Sequence, residues 1–95
     1  STGTDGRNKV VNTIERISMT IRVPALDNTY DFTVPDTMSV RTTQQLIFRI
    51  LHAEFGIPDQ LTDAILFDVS DGTVLRPECS FAQLGISTGA KLLLL

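Results

Sequence analysis

Two runs of alternating apolar and polar residues in the first third of the chain predict a β-hairpin. Every second residue from Ile17 to Val23 is apolar, which is the period of a strand with one buried face. The same alternation returns over residues 30–34, from Tyr30 to Val34. Asp27 and Asn28 lie between the runs, and both residue types tolerate the left-handed backbone geometry of a tight turn. We therefore expect two antiparallel strands joined by a short polar turn.

The apolar spacing changes to that of a helix after Ser39. Serine is a favoured N-cap residue, and Gly56 followed by Pro58 is typical of a helix end, so we predict a helix that runs through Glu54. The residues expected on its buried stripe are Val40, Ile47, Ile50 and Leu51, with Leu46 and Phe55 beside them. The residues expected mostly on the opposite side are Arg41, Thr42, Gln44, Gln45, Arg49 and His52. Such a helix would cover the apolar face of the hairpin.

The second half of the chain predicts short strands again. Residues 64–69 are mostly apolar and end at the turn pair Asp71-Gly72, after which residues 73–75 return as a brief strand. Phe81, Leu84 and Ile86 have the spacing of a single helical turn, and residues 91–95 form a last strand. In the first of these strands we expect Ile65 and Phe67 to point inward, which would leave Leu66 pointing outward.

Residues 1–16 differ from the rest because they are polar and contain only Val10, Val11 and Ile14 as large apolar residues. Such a segment cannot offset the entropy of its own ordering, so we interpret it as a flexible extension before a domain at 17–95. A short amphipathic turn through residues 10–14 that docks on a partner is the alternative.

The order of hairpin, helix, short strands, one-turn helix and final strand resembles the ubiquitin-like β-grasp, an α+β fold. Residues 54–60, Glu-Phe-Gly-Ile-Pro-Asp-Gln, are similar to the segment that leaves the helix in ubiquitin, which contains Glu-Gly-Ile-Pro with a glutamine soon after. Ile65-Leu66-Phe67 resembles the strand that follows. The apolar positions that close the ubiquitin core are matched by Phe81, Leu84, Ile86 and Leu92. The resemblance covers residues 17–95.

The chain is most similar to the YukD group, the small ubiquitin-like accessory proteins of type VII secretion systems in Gram-positive bacteria. Two stretches carry this resemblance: Tyr30-Asp31-Phe32-Thr33-Val34-Pro35 before the helix, and Phe81-x-x-Leu84-Gly85-Ile86-x-x-Gly89-x-x-Leu92 near the end. It implies a cytoplasmic protein that acts by contact with protein partners, such as components of the secretion system. Conjugation of ubiquitin depends on a tail that ends in Gly-Gly; this sequence ends at Leu95 without one, and we expect no conjugation.

Composition narrows the function classes further. The chain has 95 residues, one cysteine, one histidine and a formal net charge of −3. A disulfide framework, a multi-cysteine zinc site and a His-rich metal centre are therefore excluded, and we expect neither a metal nor a cofactor. Eight scattered basic residues argue against nucleic acid, and the absence of an apolar run of about 18 residues argues against membrane insertion.

No catalytic motif stands out. Cys79 and His52 are a conceivable nucleophile and base, but no third residue that would orient them is in view, so we expect a packed thiol and a histidine at the helix C-terminus. The segment Asp68-Val69-Ser70-Asp71-Gly72 lacks the ligand spacing of a calcium loop and is better interpreted as a turn between strands. We expect no enzymatic activity.

The remaining function class is protein binding. The residues expected to form an exposed apolar patch are Leu66, Leu93 and Leu95, with Leu26 as a fourth member; ubiquitin binds partners through an apolar patch at the corresponding place. The alternatives are that the amino-terminal extension, a partner domain or a weakly bound second copy covers these leucines, or that the strand register is shifted by one residue. If the patch does not bind, the helix face with Arg41, Gln45, Arg49 and His52 is the next candidate surface.

The sequence thus favours a non-enzymatic interaction module, an accessory component of a type VII secretion system. Two other functions stay open. The domain could be a regulatory or scaffold unit of a larger protein, such as a membrane channel subunit. A sulfur-carrier or modifier function would need a Gly-Gly end directly downstream.

Overall fold

The computed structural model describes residues 15–56 and 64–95 and contains five strands and one long helix there. The elements are β1 (Arg16–Val23), β2 (Asn28–Pro35), α1 (Val40–Phe55), β3 (Leu66–Asp68), β4 (Thr73–Val74) and β5 (Ala90–Leu94). A short 3₁₀ helix, Pro24–Leu26, lies between β1 and β2. The flexible extension predicted for residues 1–16 lies outside the described residues except for Glu15 and Arg16, and Arg16 is the first residue of β1.

The predicted hairpin is confirmed with its inner face as expected. β1 pairs with β2 antiparallel from Arg16 opposite Pro35 to Val23 opposite Asn28. The alternate residues of β1 from Ile17 to Val23 are all buried, because these side chains share the face of the sheet that packs on the helix. Asp27 adopts left-handed geometry, with a φ of 50°, as the turn requires.

Helix α1 has the predicted caps and ends at Phe55, one residue later than predicted. Ser39 is its N-cap and accepts a hydrogen bond from the Thr42 N–H at 3.1 Å. Gly56 has a φ of 70° and donates its N–H to the His52 carbonyl, which satisfies one of the last carbonyls of the helix.

The buried stripe of the helix differs from the prediction. Ile50 is 45% exposed, whereas the buried residues are Val40, Thr43, Gln44, Ile47, Phe48 and Leu51. Gln44 was expected on the polar side but is buried, because its Nε2 donates to the Ala64 carbonyl just before β3. The stripe is therefore rotated towards Gln44 and Phe48 and away from Ile50.

The sheet has the order β2-β1-β5-β3-β4, with β1 and β5 parallel at its centre. This parallel pair joins the first and the last strand of the described residues, and helix α1 lies between them in sequence. The topology is that of the ubiquitin-like β-grasp, as the order of elements predicted.

The segment between β4 and β5 closes the core. Phe81 is completely buried, and turns around it are closed by bonds from the Leu84 N–H to the Ser80 carbonyl and from the Ile86 N–H to the Phe81 carbonyl. The structure has hydrogen-bonded turns here in place of a regular one-turn helix. The aromatic ring nevertheless fills the position that the sequence predicted.

Candidate protein-binding surface

The register between β3 and β5 decides which leucines point outward. Leu66 lies opposite Leu94, and Phe67 lies opposite Leu93. Leu66 is completely buried and Leu94 is 4% exposed, so this pair belongs to the core. The prediction that Leu66 points outward, with Ile65 and Phe67 inward, is therefore wrong.

Asp68 explains the error. An aspartate in a short apolar strand suggests a solvent-facing position, yet Asp68 is only 6% exposed. Its Oδ1 accepts hydrogen bonds from the backbone N–H groups of Ser70, at 3.0 Å, and Asp71, at 3.3 Å. Because the carboxylate is satisfied by the turn that follows, its side chain can share the inner face with Leu66.

Besides the exposed Val69, which follows β3 and donates its N–H to the Lys91 carbonyl, the outer face of the same strands carries five apolar side chains. We call these five the sheet patch: Ile65, Phe67, Val74, Leu93 and Leu95. Val74 and Leu95 are 51% and 57% exposed, and the other three are half-buried.

Pairing across three strands makes the sheet patch contiguous. Phe67 lies between Val74 on one side and Leu93 on the other. Ile65 and Leu95 exchange backbone hydrogen bonds of 3.1 and 3.0 Å, which places them directly opposite one another at the end of β5. Directly opposite side chains on one face of a sheet come within contact distance, so the members shield each other in part.

Basic residues border the sheet patch. Arg22 lies opposite Leu93 on β1, and Lys91 precedes Leu93 by two residues on the same face. The register of β3 and β4, continued by two residues past the pair of Phe67 and Val74, puts the exposed Arg76 opposite Ile65. Arg22 also forms an ion pair with Asp27, but both side chains are well exposed, so the contact leaves the guanidinium largely solvated.

The structure brings Leu93 and Leu95 together as predicted and places Leu26 nearby. Leu26 is half-buried against the core in the 3₁₀ turn that follows β1. Because β1 and β5 are parallel with Arg22 opposite Leu93, Leu95 lies level with Pro24, two residues before Leu26. Leu26 is therefore at the same end of the sheet as Leu95.

The sequence prediction missed Phe67, Val74 and Ile65 as outward-facing residues. The signal that would have found them is the turn at Asp71-Gly72, where Gly72 has a φ of 70°. A tight turn there pairs Phe67 with Val74, and Val74 alternates with the apolar Leu75, which is buried.

Cys79 and His52 are far apart in this fold. The Cys79 carbonyl accepts the N–H of Val40, so the cysteine lies beside the first residue of α1. His52 is in the last turn of that helix, about 18 Å further along its axis at 1.5 Å a residue. The two side chains cannot act as a nucleophile and its base.

Two further findings concern residues 15–56 and 64–95 alone. They contain no group of three or more His, Cys, Asp or Glu side chains arranged to hold a metal ion. No helix among them is long and apolar enough to cross a membrane.

Several solved structures share this fold at low sequence identity. An N-terminal ubiquitin-like domain solved in solution matches with a TM-score of 0.68 and 20% identity, over 100% of this chain and 88% of that one. The EccD5 ubiquitin-like domain from Mycobacterium xenopi matches with a TM-score of 0.66 and 18% identity, over 85% and 93%. A ubiquitin-like domain from an Arabidopsis thaliana protein matches with a TM-score of 0.65 and 16% identity, over 99% and 90%.

No protein-family model and no curated protein matches the sequence. At these identities the structural likeness shows a ubiquitin-like fold.

Proposed function

We propose that this chain is a non-enzymatic protein-binding module and that it binds its partner through the sheet patch. The observation that carries the proposal is the contiguity of Phe67, Leu93 and Val74 on three neighbouring strands, with half or more of the Val74 surface exposed. A contiguous apolar patch with a polar rim marks interaction sites far more often than a lone surface leucine does.

The size of the patch suits a reversible complex. Complete burial of an apolar side chain contributes roughly 1.5–3 kcal/mol, and the members of the sheet patch are partly shielded already, so each would contribute less. After the loss of translational and rotational freedom is subtracted, the remainder corresponds to binding in about the micromolar range. The basic rim of Arg22, Arg76 and Lys91 favours a partner surface with acidic residues around an apolar centre.

The decisive experiment is an affinity capture from the native host with matched variants. Phe67→Asp and Leu93→Asp should each lose the proteins that the wild type retains, because each puts a charge in the middle of the sheet patch. Gln45→Glu adds the same charge at an exposed position of α1 and should retain them. If all three variants capture the same proteins as the wild type, the sheet patch is not the binding surface.

The finer proposal is that the partners belong to a type VII secretion system and that the protein acts in the cytoplasm. Its support is the resemblance of residues 30–35 and 81–92 to the YukD group. Proteins captured by the wild type and lost with Phe67→Asp should then include components of that system. If only other proteins are captured, the chain would still be a protein-binding module, but the proposal that its partners belong to a type VII secretion system would be rejected.

In the second candidate function the domain also binds through the sheet patch, but it is a regulatory or scaffold domain of a larger protein, such as a membrane channel subunit. The native gene distinguishes the two, because an open reading frame that continues into apolar spans would support this candidate over a free accessory protein.

A further inference from the structure

The solvent-facing side of α1 carries two parallel ridges of side chains. Residues four positions apart on a helix line up into a ridge, and two neighbouring ridges enclose a groove that a second helix can fill. The first ridge is exposed along its whole length and consists of Arg41, Gln45, Arg49 and Ala53. The second ridge is exposed at Thr42 and at Ile50, with the half-buried Leu46 between them. We call the space between these ridges the helix groove.

The two walls of the helix groove differ in chemistry. The first wall presents the guanidinium groups of Arg41 and Arg49. Glu54, which lies beyond both ridges, is the only acidic residue of α1. The second wall is largely apolar, because Ile50 is 45% exposed and Leu46 is half-buried. A groove of this kind fits an occupant that is itself apolar on one side and acidic on the other.

The arginines of the first wall have no carboxylate partner among the described residues. Neither Arg41 nor Arg49 forms an ion pair there. Arg41 also opposes the helix dipole: it is the second residue of α1, where a carboxylate is stabilised and a cation destabilised, and the first turn has no acidic residue. Glu78 follows Pro77, whose carbonyl accepts the Arg41 N–H, yet it forms no ion pair with Arg41. Both guanidinium groups are therefore available to the carboxylates of a partner.

The backbone at the start of α1 offers no further donors to an acidic group. The N–H groups of Val40 and Arg41 donate to carbonyls of residues 77–79, and the Thr42 N–H donates to the Ser39 Oγ. Because these donors are already used, recognition of a carboxylate at this surface depends on the arginine side chains.

The spacing of the arginines suits acidic side chains on a helix. Arg41 and Arg49 are about 12 Å apart along the axis of α1, at about 1.5 Å a residue. Two carboxylates on a partner helix span the same distance when they are about two turns apart, and residues two turns apart lie on one side of a helix. The apolar residues of the partner would then lie beside these carboxylates, towards Leu46 and Ile50.

We propose that the helix groove binds an amphipathic, acidic helix of a partner protein. Its aliphatic side chains pack on Leu46 and Ile50, and two of its carboxylates, about two turns apart, pair with Arg41 and Arg49. The two helices cross at about −50°, the angle that ridges of residues four apart favour. This surface is separate from the sheet patch, and the proposal does not depend on binding there.

Charge and the apolar wall disfavour other occupants. Two copies of the chain that joined their helix grooves would bring the arginines of one copy against those of the other, and like charges across an interface are destabilising. A nucleic acid would pair its phosphates with the arginines but would leave Leu46 and Ile50 without apolar contacts, and the net charge of −3 repels a polyanion. An acidic helix satisfies both walls.

The probe is a helical peptide, Ac-Ser-Ala-Gln-Ala-Glu-Leu-Ala-Gln-Ala-Leu-Ala-Glu-Leu-Ala-Gln-Ala-Gln-NH₂, titrated into the isotope-labelled full chain at low ionic strength and followed by NMR. Its leucines form one stripe, and its two glutamates lie two turns apart beside that stripe. The control peptide has lysine in place of both glutamates.

We expect the glutamate peptide to cause saturable shifts at residues 41–53 with a dissociation constant of about 0.1–1 mM, and the lysine peptide to bind about fivefold to twentyfold more weakly. Added salt should reduce this difference. Equal binding of the two peptides, shifts confined to the sheet patch, or no binding of the glutamate peptide up to several millimolar would overturn the proposal.

Variants at exposed positions test each wall. Arg49→Glu should reverse the preference between the peptides, because it puts a carboxylate on the cationic wall. Lys91→Glu is the matched control: it makes the same change of charge at an exposed position beside the sheet patch and should leave the preference as it is. Ile50→Ala should weaken both peptides by the same factor, about threefold, since both carry the leucine stripe. An unchanged preference in Arg49→Glu would reject the proposed pairing.

Two further variants separate this surface from the proposed function. Phe67→Asp should bind the glutamate peptide as the wild type does, because the sheet patch is not involved. Gln45→Glu should weaken that peptide severalfold, because it adds a carboxylate between the two arginines. A complex with a dissociation constant near 0.1–1 mM does not survive the washes of an affinity capture, so Gln45→Glu still serves as the control for the sheet patch there.

Other occupants would give distinct results. Shifts at residues 41–53 that depend on protein concentration without peptide would show that a second copy binds in the helix groove, and would overturn the proposal. Residues 57–63 contain Asp59 and Asp63. A tenfold gain in peptide affinity in the double variant Asp59→Asn/Asp63→Asn would show that this segment of the chain occupies the groove, with the same consequence.

Discussion

The two faces of the β3–β5 pair have similar side chains and opposite environments. On the inner face Leu66, Leu92 and Leu94 are at most 4% exposed, whereas on the outer face Leu95 is 57% exposed and Phe67 and Leu93 are half-buried. Adjacent residues of one strand thus differ in whether they hold the domain together or remain available to a partner. Because successive side chains of a strand point to opposite faces, a core residue and a residue of the outer face are neighbours in the sequence.

This difference means that stability and binding can be changed separately. A substitution on the inner face acts on the core that β1, β5 and α1 share, and its cost appears as a loss of folding free energy. The same substitution one residue along acts on the outer face, so its cost to folding is small and its main effect appears when a partner is present. Matched substitutions at adjacent positions therefore test the comparison directly.

The largest contrast should be between Leu66→Asp and Phe67→Asp. A carboxylate at Leu66 would be buried without a partner, which costs more than about 4 kcal/mol and leaves a domain of this size largely unfolded. Phe67→Asp places the charge on the outer face and should leave the protein folded, with a thermal midpoint within roughly 8 °C of the wild type. Circular dichroism during heating measures both.

The converse result would invert the orientation of β3. If Phe67→Asp unfolded the domain and Leu66→Asp did not, Leu66 would face solvent and the sheet patch would not exist.

The helix provides the same contrast between its two sides. Ile47 is 1% exposed and Ile50 is 45% exposed. Ile47→Ala removes buried methyl groups and should cost about 2–5 kcal/mol, whereas Ile50→Ala should cost less than about 1 kcal/mol. Chemical denaturation of the two variants gives the difference, and equal midpoints would show that the buried stripe has been placed on the wrong side of α1.

The last strand offers a pair of adjacent leucines. Leu94→Ala creates a cavity next to Leu66 and should destabilise the domain by about 2–4 kcal/mol, while Leu95→Ala should change stability by about 0.5 kcal/mol or less. Denaturant titrations of both variants measure these effects. A large loss in Leu95→Ala with a small loss in Leu94→Ala would contradict the register of β5 against β3.

Most of the fold could be predicted from the sequence because, in its long strands and helix, regularly placed polar residues show which side chains face the core. In β1, apolar residues from Ile17 to Ile21 alternate with Ser18 and Thr20. This alternation allows only the apolar side chains to face the core, and these are the side chains that the structure buries. The caps at Ser39 and Gly56 likewise fixed the ends of α1, since each satisfies backbone groups that a helix leaves free.

The phase of β3 could not be derived in the same way. β3 has only three residues, too few for an alternating pattern to show which side chains face the core. Its one polar residue, Asp68, is buried because backbone N–H groups of the following turn donate hydrogen bonds to its carboxylate. The prediction that Leu66 faces outward failed for this reason. Leu93 and Leu95 do lie on the outer face, because β5 alternates over five residues, and their part in binding stays a prediction. On the helix, Ile50 was wrongly predicted to be buried. The buried stripe instead includes Gln44, whose side chain donates a hydrogen bond to the Ala64 carbonyl, and the spacing of apolar residues in one sequence cannot predict such a bond.

Val74→Ala should have the smallest effect on folding, and it tests whether the outer face of the sheet binds the partner. Val74 is 51% exposed at the edge of the sheet, next to Phe67, so its truncation should change the free energy of unfolding by no more than about 0.5 kcal/mol. It removes part of the apolar surface that a partner would cover, and partner affinity should fall several-fold.

Ile50→Ala is the matched control, because Ile50 is also β-branched and is exposed to a similar extent, but lies on α1 away from the sheet patch. Surface plasmon resonance with a partner captured by the wild type would give both affinities. A several-fold loss in Val74→Ala with none in Ile50→Ala assigns binding to the outer face of the sheet. The reverse result would move it to the helix side of the molecule, where Ile50, Phe55 and the edge of β2 lie.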